Sequence, residues 1–146
     1  MSDALNGKPP TSFWVIAAVL LFWNLVGLMF YYMQVTMTPE VMAANFNEAQ
    51  QEWMNSEPVW ATAAYATAVT AGVIGALLLL LRKALAMPFF ILSFIAVIVQ
   101  DFNAFILSDW QSVWGNSALY LPSIVIVICI FEIWYSRSSK AKGWLF

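Results

Sequence analysis

LAMPFFILSFIAVIVQDFNAFIL, residues 85–107, sets the architecture of this chain. The stretch is apolar over most of its length, and a helix of about 20 apolar residues crosses the roughly 30 Å hydrocarbon core of a bilayer. Three more runs share this character, at residues 11–35, 58–81 and 117–136. Unpaired backbone groups are costly in lipid, and the runs do not alternate as barrel strands do. We therefore predict an all-α integral membrane protein, with four transmembrane helices in a bundle.

The composition agrees with this class. Of the 146 residues, 62% are hydrophobic and 10% are charged, against about 45–50% and about 25% in soluble domains. The net charge of −2 argues against nucleic-acid binding, which requires a basic surface. The chain has no histidine and one cysteine, which excludes His-based metal or haem sites and Ser–His or Cys–His catalytic pairs. We predict a single membrane domain over residues 1–146, without a cofactor or metal.

Lysine and arginine predict the orientation of the helices, because these residues are enriched in cytoplasmic connections. All six basic residues fall on one side of the four runs, and the opposite side carries acidic residues. The first run is too long for the apolar core of a signal peptide, so we expect it to be retained. Both termini are thus predicted to be cytoplasmic, in a bacterial inner membrane. The basic residues are Lys8, Arg82, Lys83, Arg137, Lys140 and Lys142, and the acidic residues opposite are Glu40, Glu48, Glu52, Glu57 and Asp109.

The first outer connection predicts a short amphipathic helix over about residues 39–55. Thr38 suits its N-cap and Pro39 its first position, and its apolar side chains share one face. The helix is either a lid packed on the bundle or a gate or docking surface. The tryptophans predicted to mark the membrane interfaces are Trp14, Trp134 and Trp144 on the inner side and Trp53, Trp60, Trp110 and Trp114 on the outer side.

The second run carries small residues at four-residue spacing. Small side chains allow the backbones of membrane helices to approach closely. The row therefore indicates either packing inside the bundle or an interface with a partner protein or a second copy of the chain. Its members are Ala64, Ala68, Gly72 and Ala76, with Thr67, Ala71 and Gly75 in a neighbouring row.

We estimate the depth of each residue by counting about 1.5 Å per residue along the predicted helices from their cytoplasmic ends. This depth count predicts a candidate polar layer near the outer face, at the depth of Gln100 and Asp101. Ionisable groups inside a span are costly and usually face protein or water. The layer is structural if tyrosine hydroxyls and Gln100 satisfy Asp101, or if the third helix ends early and Asp101 touches headgroups. Otherwise it is a small-solute, lipid-headgroup or proton site. Its residues are Tyr31, Tyr32, Tyr65, Gln100, Asp101, Asn103, Tyr120 and Ser123.

Two deeper polar levels follow from the same depth count. Asn24 and Thr70 are predicted near mid-membrane, where Asn24 is expected to make an interhelical hydrogen bond. Ser93 and Glu132 are predicted in the inner leaflet. Glu132 either pairs with a basic residue of the inner surface or carries a proton. Cys129 is expected to behave as a small apolar residue.

Three segments resemble a family of small four-helix bacterial inner-membrane proteins, some of which are labelled sugar transporters. They are WNLVGLMFYYMQVTMTPE (23–40), LLLLLRKALAMPFFILS (77–93) and SRSSKAKGWL (136–145). The resemblance covers nearly the whole chain. It implies a sugar as the substrate class, and it assigns no functional residue.

The sequence favours a protein without catalytic activity, because no nucleophile–base pair, metal cluster or phosphate loop is present in it. We predict an accessory or scaffolding component of the inner membrane, in contact with the lipid bilayer. The alternative is a transporter or sensor of a small solute. Four helices enclose little room, and the halves of the chain show no convincing repeat, so that alternative requires a homo-oligomer.

Overall fold

The computed structural model describes residues 8–146, and within this part of the chain it contains helices and no β-strand. Residues 1–7 of the predicted domain lie outside the described part. Four helices are long and apolar enough to cross a membrane, as the sequence predicts. The long helices are α1 (Thr11–Val35), α4 (Val59–Leu80), α5 (Ala86–Phe102, continued by a π-helix, Asn103–Leu107) and α7 (Tyr120–Ala141, preceded by a 3₁₀-helix, Asn116–Leu119). The short helices are α2 (Pro39–Asn45), α3 (Glu48–Asn55) and α6 (Trp110–Trp114).

Long helices that are consecutive in the sequence are neighbours in the bundle. Packing is closest between α4 and α5, then between α1 and α4 and between α5 and α7. The backbones of α1 and α7 approach each other little. We call the end with connections 36–58 and 108–119 the acidic end, and the opposite end the basic end, after their charged side chains.

The small residues of α4 are buried inside the chain, which is the first of the two arrangements that their spacing predicts. A Cβ atom on Gly75 would lie 2.8 Å from the ring of Phe90, so the glycine makes room for this ring. Thr67, from the neighbouring row, is exposed. The buried small residues are Ala61, Ala64, Ala68, Ala71, Gly72, Gly75 and Ala76.

The helix predicted over about 39–55 is two helices, α2 and α3. The Thr38 hydroxyl caps α2 by accepting a backbone N–H at 3.3 Å. The backbone becomes extended at Phe46. Asn47 then begins α3 through a capping box, because its side chain accepts the N–H of Gln50 at 2.8 Å and its own N–H donates to the Gln50 side chain at 3.1 Å. This second cap interrupts the predicted helix.

At the basic end, α7 ends in a Schellman motif. Gly143 takes the left-handed conformation with φ 79°, and the N–H of Trp144 donates to the carbonyl of Ser139 at 3.0 Å. The turn directs Trp144 and Leu145 into the bundle, where the Trp144 ring lies 5.8 Å from the ring of Phe13. The ring predicted to mark a membrane interface therefore faces the interior of the bundle. The ring is 8% exposed and belongs to the core.

The last residues also bind the connection between α4 and α5. Arg82 Nε donates to the carbonyl of Trp144 at 2.9 Å, and the N–H of Phe146 donates to the carbonyl of Arg82 at 2.9 Å. The N–H of Ala84 donates to the carbonyl of Phe146, also at 2.9 Å. The ammonium group of Lys83 lies 4.7 Å from the centre of the Phe146 ring. These contacts close the basic end of the bundle.

An aromatic cluster closes the acidic end and joins its two connections. The indole N–H of Trp53 donates to the carbonyl of Ser108 at 3.0 Å, and the Trp53 ring lies 5.1 Å from that of Trp110. Trp110 and Trp114 are stacked at 5.1 Å, and Phe46 contacts Trp114 edge-on at 5.7 Å. Trp53, Trp110 and Trp114 thus pack on one another, whereas Trp60 is exposed, and α3 lies against α6 as a lid on the bundle.

Candidate functional site

The structure does not gather the whole candidate polar layer around Asp101. Tyr32 is 65% exposed and Tyr120 is 73% exposed, so both lie on the outside of the bundle. Ser123 is also exposed, and its hydroxyl donates to the carbonyl of Leu119 at 2.8 Å. These three side chains therefore do not line an interior site.

Two further members of the layer join α1 to α4. The rings of Tyr31 and Tyr65 meet edge-to-face, with 5.1 Å between their centres. Beyond them, Gln34 Nε2 donates to Glu57 Oε2 at 3.2 Å. Burial raises the pKa of the Glu57 carboxyl above its ordinary value. Sequence reasoning missed this hydrogen bond, because a glutamate just before a predicted span looks like any other charge of the acidic end.

The remaining members lie on α5 and its π-helical continuation. Gln100 and Asp101 are half-buried. Among residues 8–146, Asp101 Oδ2 is buried and has no hydrogen-bond partner. Asn103 is 3% exposed, and its carbonyl accepts the hydroxyl of Ser108 at 2.7 Å. Asp101 is thus the member of the layer whose polar atom the described bundle leaves unsatisfied.

Asn24 and Glu132 meet in the interior of the bundle. Asn24 Nδ2 donates to Glu132 Oε2 at 2.6 Å and to the carbonyl of Leu20 at 2.8 Å. The two residues are 8% and 2% exposed. The depth count placed Glu132 below Asn24 because it ended the fourth helix at residue 136. The helix continues to Ala141, so Glu132 lies near its middle, at the level of Asn24.

This hydrogen bond contradicts the predicted pairing of Glu132 with a basic residue, and it identifies the partner of Asn24. Glu132 accepts from a neutral amide inside the bundle, in place of the expected pairing with a basic residue of the inner surface. The interhelical hydrogen bond expected of Asn24 is present, and its acceptor is a carboxyl group. The bond spans α1 and α7, whose backbones approach each other little.

Gly72 and Ser93 complete the surroundings of Asn24. A Cβ atom on Gly72 would overlap with Oδ1 of Asn24, and it would lie 3.4 Å from the hydroxyl of Ser93. Ser93 donates to the carbonyl of Ala68 at 2.7 Å, which holds α5 against α4. All four long helices thus contribute to one polar layer. We call Asn24, Gly72, Ser93 and Glu132 the polar core.

An apolar layer separates the polar core from Asp101. Asp101 follows Ser93 by eight positions on α5, which corresponds to about 12 Å along the helix. Cys129 is buried within this layer, as expected for a small apolar residue. The two carboxyl groups therefore occupy separate levels, which does not suit joint acid–base catalysis. The layer consists of Ala68, Ala96, Val97 and Cys129.

Thr70 lies two residues from Gly72, which packs beside Asn24, but its side chain faces away from the polar core. It is exposed and lines a groove of about 290 Å³ between α4 and α5. Thr67 lies one turn away in the same groove, and its hydroxyl donates to the carbonyl of Ala63 at 2.9 Å. The lining is largely apolar, with small side chains on α4. It comprises Ala66, Thr67, Thr70, Ala71, Ile74, Phe89 and Leu92.

Comparison of the chain with models of protein families, with curated proteins and with solved structures gives no match. The resemblance to small inner-membrane proteins therefore stays a prediction.

Proposed function

We propose that this chain is a non-catalytic accessory protein of a bacterial inner membrane, and that it binds one transmembrane helix of a partner protein in the groove between α4 and α5. The groove is the observation that carries the proposal. Thr67 and Thr70 are exposed in it, beside the small side chain of Ala66. Small and hydroxyl-bearing residues are typical of contacts between membrane helices, because they permit close approach and hydrogen bonds across the interface.

The close packing of the interior favours binding of a partner on the outer surface of the bundle. Phe90 fills the space beside Gly75, and Asn24 fills the space beside Gly72. Trp144 closes the basic end, and the aromatic cluster closes the acidic end. Such a bundle leaves little room for a solute path, whereas its groove faces the hydrocarbon. An occupant there must satisfy its own backbone hydrogen bonds, as a helix does.

The proposed orientation places the basic end in the cytoplasm, because the lysines and arginines of the chain cluster there. We would introduce single cysteines at Asn55 and Lys142, in a background in which Cys129 is replaced by alanine. A membrane-impermeant maleimide should label Asn55→Cys in intact spheroplasts, and Lys142→Cys only after lysis. The reverse pattern would overturn the orientation.

Photo-crosslinking in the native membrane tests the helix-binding role. A photoreactive phenylalanine analogue replaces Thr70 in the full chain, and a matched control carries it at Val127, which is 65% exposed on α7. We expect a stoichiometric adduct from position 70 that is absent from position 127. Its partner peptide should map to a transmembrane segment of another protein, and Ala66→Phe should abolish the adduct by filling the groove.

Two other outcomes would contradict this proposal. An adduct between two copies of this chain would indicate that the groove is a self-association surface. Adducts with lipid alone would indicate that the groove is an ordinary lipid-facing depression. Neither outcome affects the orientation test, which rests on the charges.

Transport or sensing of a small solute by a homo-oligomer is the second candidate, and Asp101 favours it. Its buried Oδ2 has no hydrogen-bond partner among residues 8–146, so it is free to accept a hydroxyl or an N–H of a solute. The resemblance to proteins labelled sugar transporters makes sugars the first solutes to test. Native mass spectrometry of gently extracted protein should then show a homo-oligomer with retained solute. Asp101→Asn should lose the solute, and a stoichiometric second protein in its place would favour the accessory role.

A further inference from the structure

Neutral side chains enclose the carboxyl group of Glu132. The residue is 2% exposed, and its hydrogen-bond donor is an amide. The basic residues of α7, Arg137 and Lys140, are exposed at the basic end. Asp101 is the nearest carboxyl on α5, and the apolar layer separates it from the polar core. Asn24 on α1 donates to this carboxyl group, and Cys129 and Tyr135 lie about one helical turn from Glu132 on α7. Gly72 on α4 lies beside Asn24, and Ser93 on α5 lies beside Gly72.

A carboxylate in this position lacks the partners that a buried charge requires. Charged groups at the centre of a membrane are costly, and buried charges are usually paired or coordinate a metal. One amide N–H donates a hydrogen bond but carries no net charge. Asp101 has the same sign of charge as an ionised Glu132, so it adds no compensation. These surroundings suit a neutral carboxylic acid.

The contact between α1 and α7 provides a means for the acid to reach water. At the basic end the rings of Phe13 and Tyr135 are stacked at 6.2 Å, and Trp144 packs against Phe13. At mid-membrane the Asn24–Glu132 hydrogen bond joins the two helices. Their backbones approach each other little. A separation of α1 from α7 on the acidic-end side of this hydrogen bond would therefore open the polar core towards the acidic end.

We propose that Glu132 is a proton-binding site in the membrane interior, and that α1 and α7 control its access to water from the acidic end. In the closed form the neutral acid pairs with Asn24. When the helices separate, the O–H bond breaks, the proton passes to an entering water molecule, and the hydrated carboxylate remains. Uptake is the reverse transfer, and no group is oxidised or reduced. This site is independent of the helix-binding role of the groove.

Labelling of the unaltered full chain with dicyclohexylcarbodiimide tests for the acid. The reagent is apolar and adds to a carboxylic acid without loss of atoms. The acid proton moves to a reagent nitrogen, the carboxyl oxygen bonds to the reagent carbon, and rearrangement gives a stable N-acylurea. In liposomes of phosphatidylethanolamine and phosphatidylglycerol, we expect the peptide containing Glu132 to gain one reagent mass. Labelling should fall as the buffer pH is raised. A peptide that stays unlabelled at every pH would overturn the proposal.

Infrared difference spectra recorded across a pH step assign the proton to a residue. Glu132→Gln keeps an acceptor for Asn24, and retention of the fold is checked by circular dichroism and gel filtration. Other carboxyl groups of the chain also give C=O bands across a pH step, so each variant is compared with the unaltered chain. One carboxylic-acid C=O component should be missing in Glu132→Gln and kept in Asp101→Asn. A Glu132→Gln spectrum with the same carboxylic-acid components as the unaltered chain would overturn the assignment. A step in sodium concentration at constant pH should leave the infrared spectrum unchanged. A sodium-dependent band from Glu132 would overturn the proposal, because it would show that the site binds a metal cation and not a proton.

Discussion

The ring of Phe90 occupies the position beside α4 that a side chain on Gly75 would need. A Cβ atom on Gly75 would lie 2.8 Å from both Cδ1 and Cε1 of this ring. Phe90 is 1% exposed, so the surrounding core holds its ring in place. This fit allows α4 and α5 to form the closest helix pair of the bundle.

Gly75→Ala should destabilise the protein, because the added methyl group forces the Phe90 ring out of a packed core. Overpacking of this kind costs about 1–3 kcal/mol. Reversible unfolding by SDS in mixed micelles gives the change in the free energy of unfolding. Gly27→Ala is the matched control, because a Cβ atom there meets Val69 Cγ1 at 3.6 Å, an ordinary contact. Equal effects of the two variants would show that loss of helix-interior glycine, and not the ring, is responsible.

Asn24→Leu should destabilise the bundle by leaving the buried carboxyl of Glu132 without its donor. Loss of one partner of a buried hydrogen bond costs about 1–3 kcal/mol, whereas replacement of both partners by apolar groups is nearly neutral. The double variant Asn24→Leu/Glu132→Leu should therefore recover most of the lost stability. A double-mutant cycle measured by the same unfolding assay checks this. Simple additivity would mean that the 2.6 Å contact is not a stabilising pair.

Glu57→Gln should stabilise the protein at neutral pH and remove part of its pH dependence. Burial raises the pKa of this carboxyl, so the folded state holds the proton at pH values where the unfolded state has released it. The unaltered chain therefore loses stability as pH rises from the ordinary carboxyl value through the raised one. The side-chain oxygen of the introduced amide still accepts from Gln34, so the comparison isolates the charge. Glu52→Gln, at an exposed position, should leave the pH profile unchanged, and an unaltered profile in Glu57→Gln would contradict the prediction.

Trp144→Ala should destabilise the basic end strongly, because the indole is 8% exposed and packs against Phe13. Truncation of a buried tryptophan costs about 3–5 kcal/mol. Phe146→Ala is the control, because its ring is 68% exposed while its backbone makes the hydrogen bonds to the connection. The free energy of unfolding should change far less in the control. Similar losses in both variants would indicate that the ring of Phe146, with its cationic neighbours, is equally important.

Trp53→Phe should loosen the link between the two acidic-end connections. The change keeps an aromatic ring in the cluster but removes the N–H that donates to Ser108 at 3.0 Å. A single hydrogen bond of this kind contributes about 0.5–1.5 kcal/mol. Hydrogen exchange should become faster over residues 103–115, with exchange in the middle of α4 unchanged. Unchanged protection over residues 103–115 would show that ring packing alone holds the link.

The number and apolar character of the long helices follow from the sequence alone. Four uninterrupted apolar runs leave the backbone no other way to pair its polar groups in lipid. The sequence also identified Thr38 as a cap and the row from Ala64 to Ala76 as a site of close helix approach, because capping and small-residue packing depend on local spacing. Such local signals can be read from the sequence without knowledge of the tertiary structure.

Which polar side chains meet depends on the tertiary fold. A depth count fixes height along a helix but not the direction that a side chain faces, and it shifts when a helix end is misplaced. Asn24 therefore lies against Glu132, and Thr70 faces a groove on the surface. The burial of Trp144 also needed the tertiary fold, because its position depends on a turn at Gly143 and on space at the end of the bundle. Contacts between residues distant in sequence arise from the relative rotation of helices, and that rotation is set by the packing of all four together.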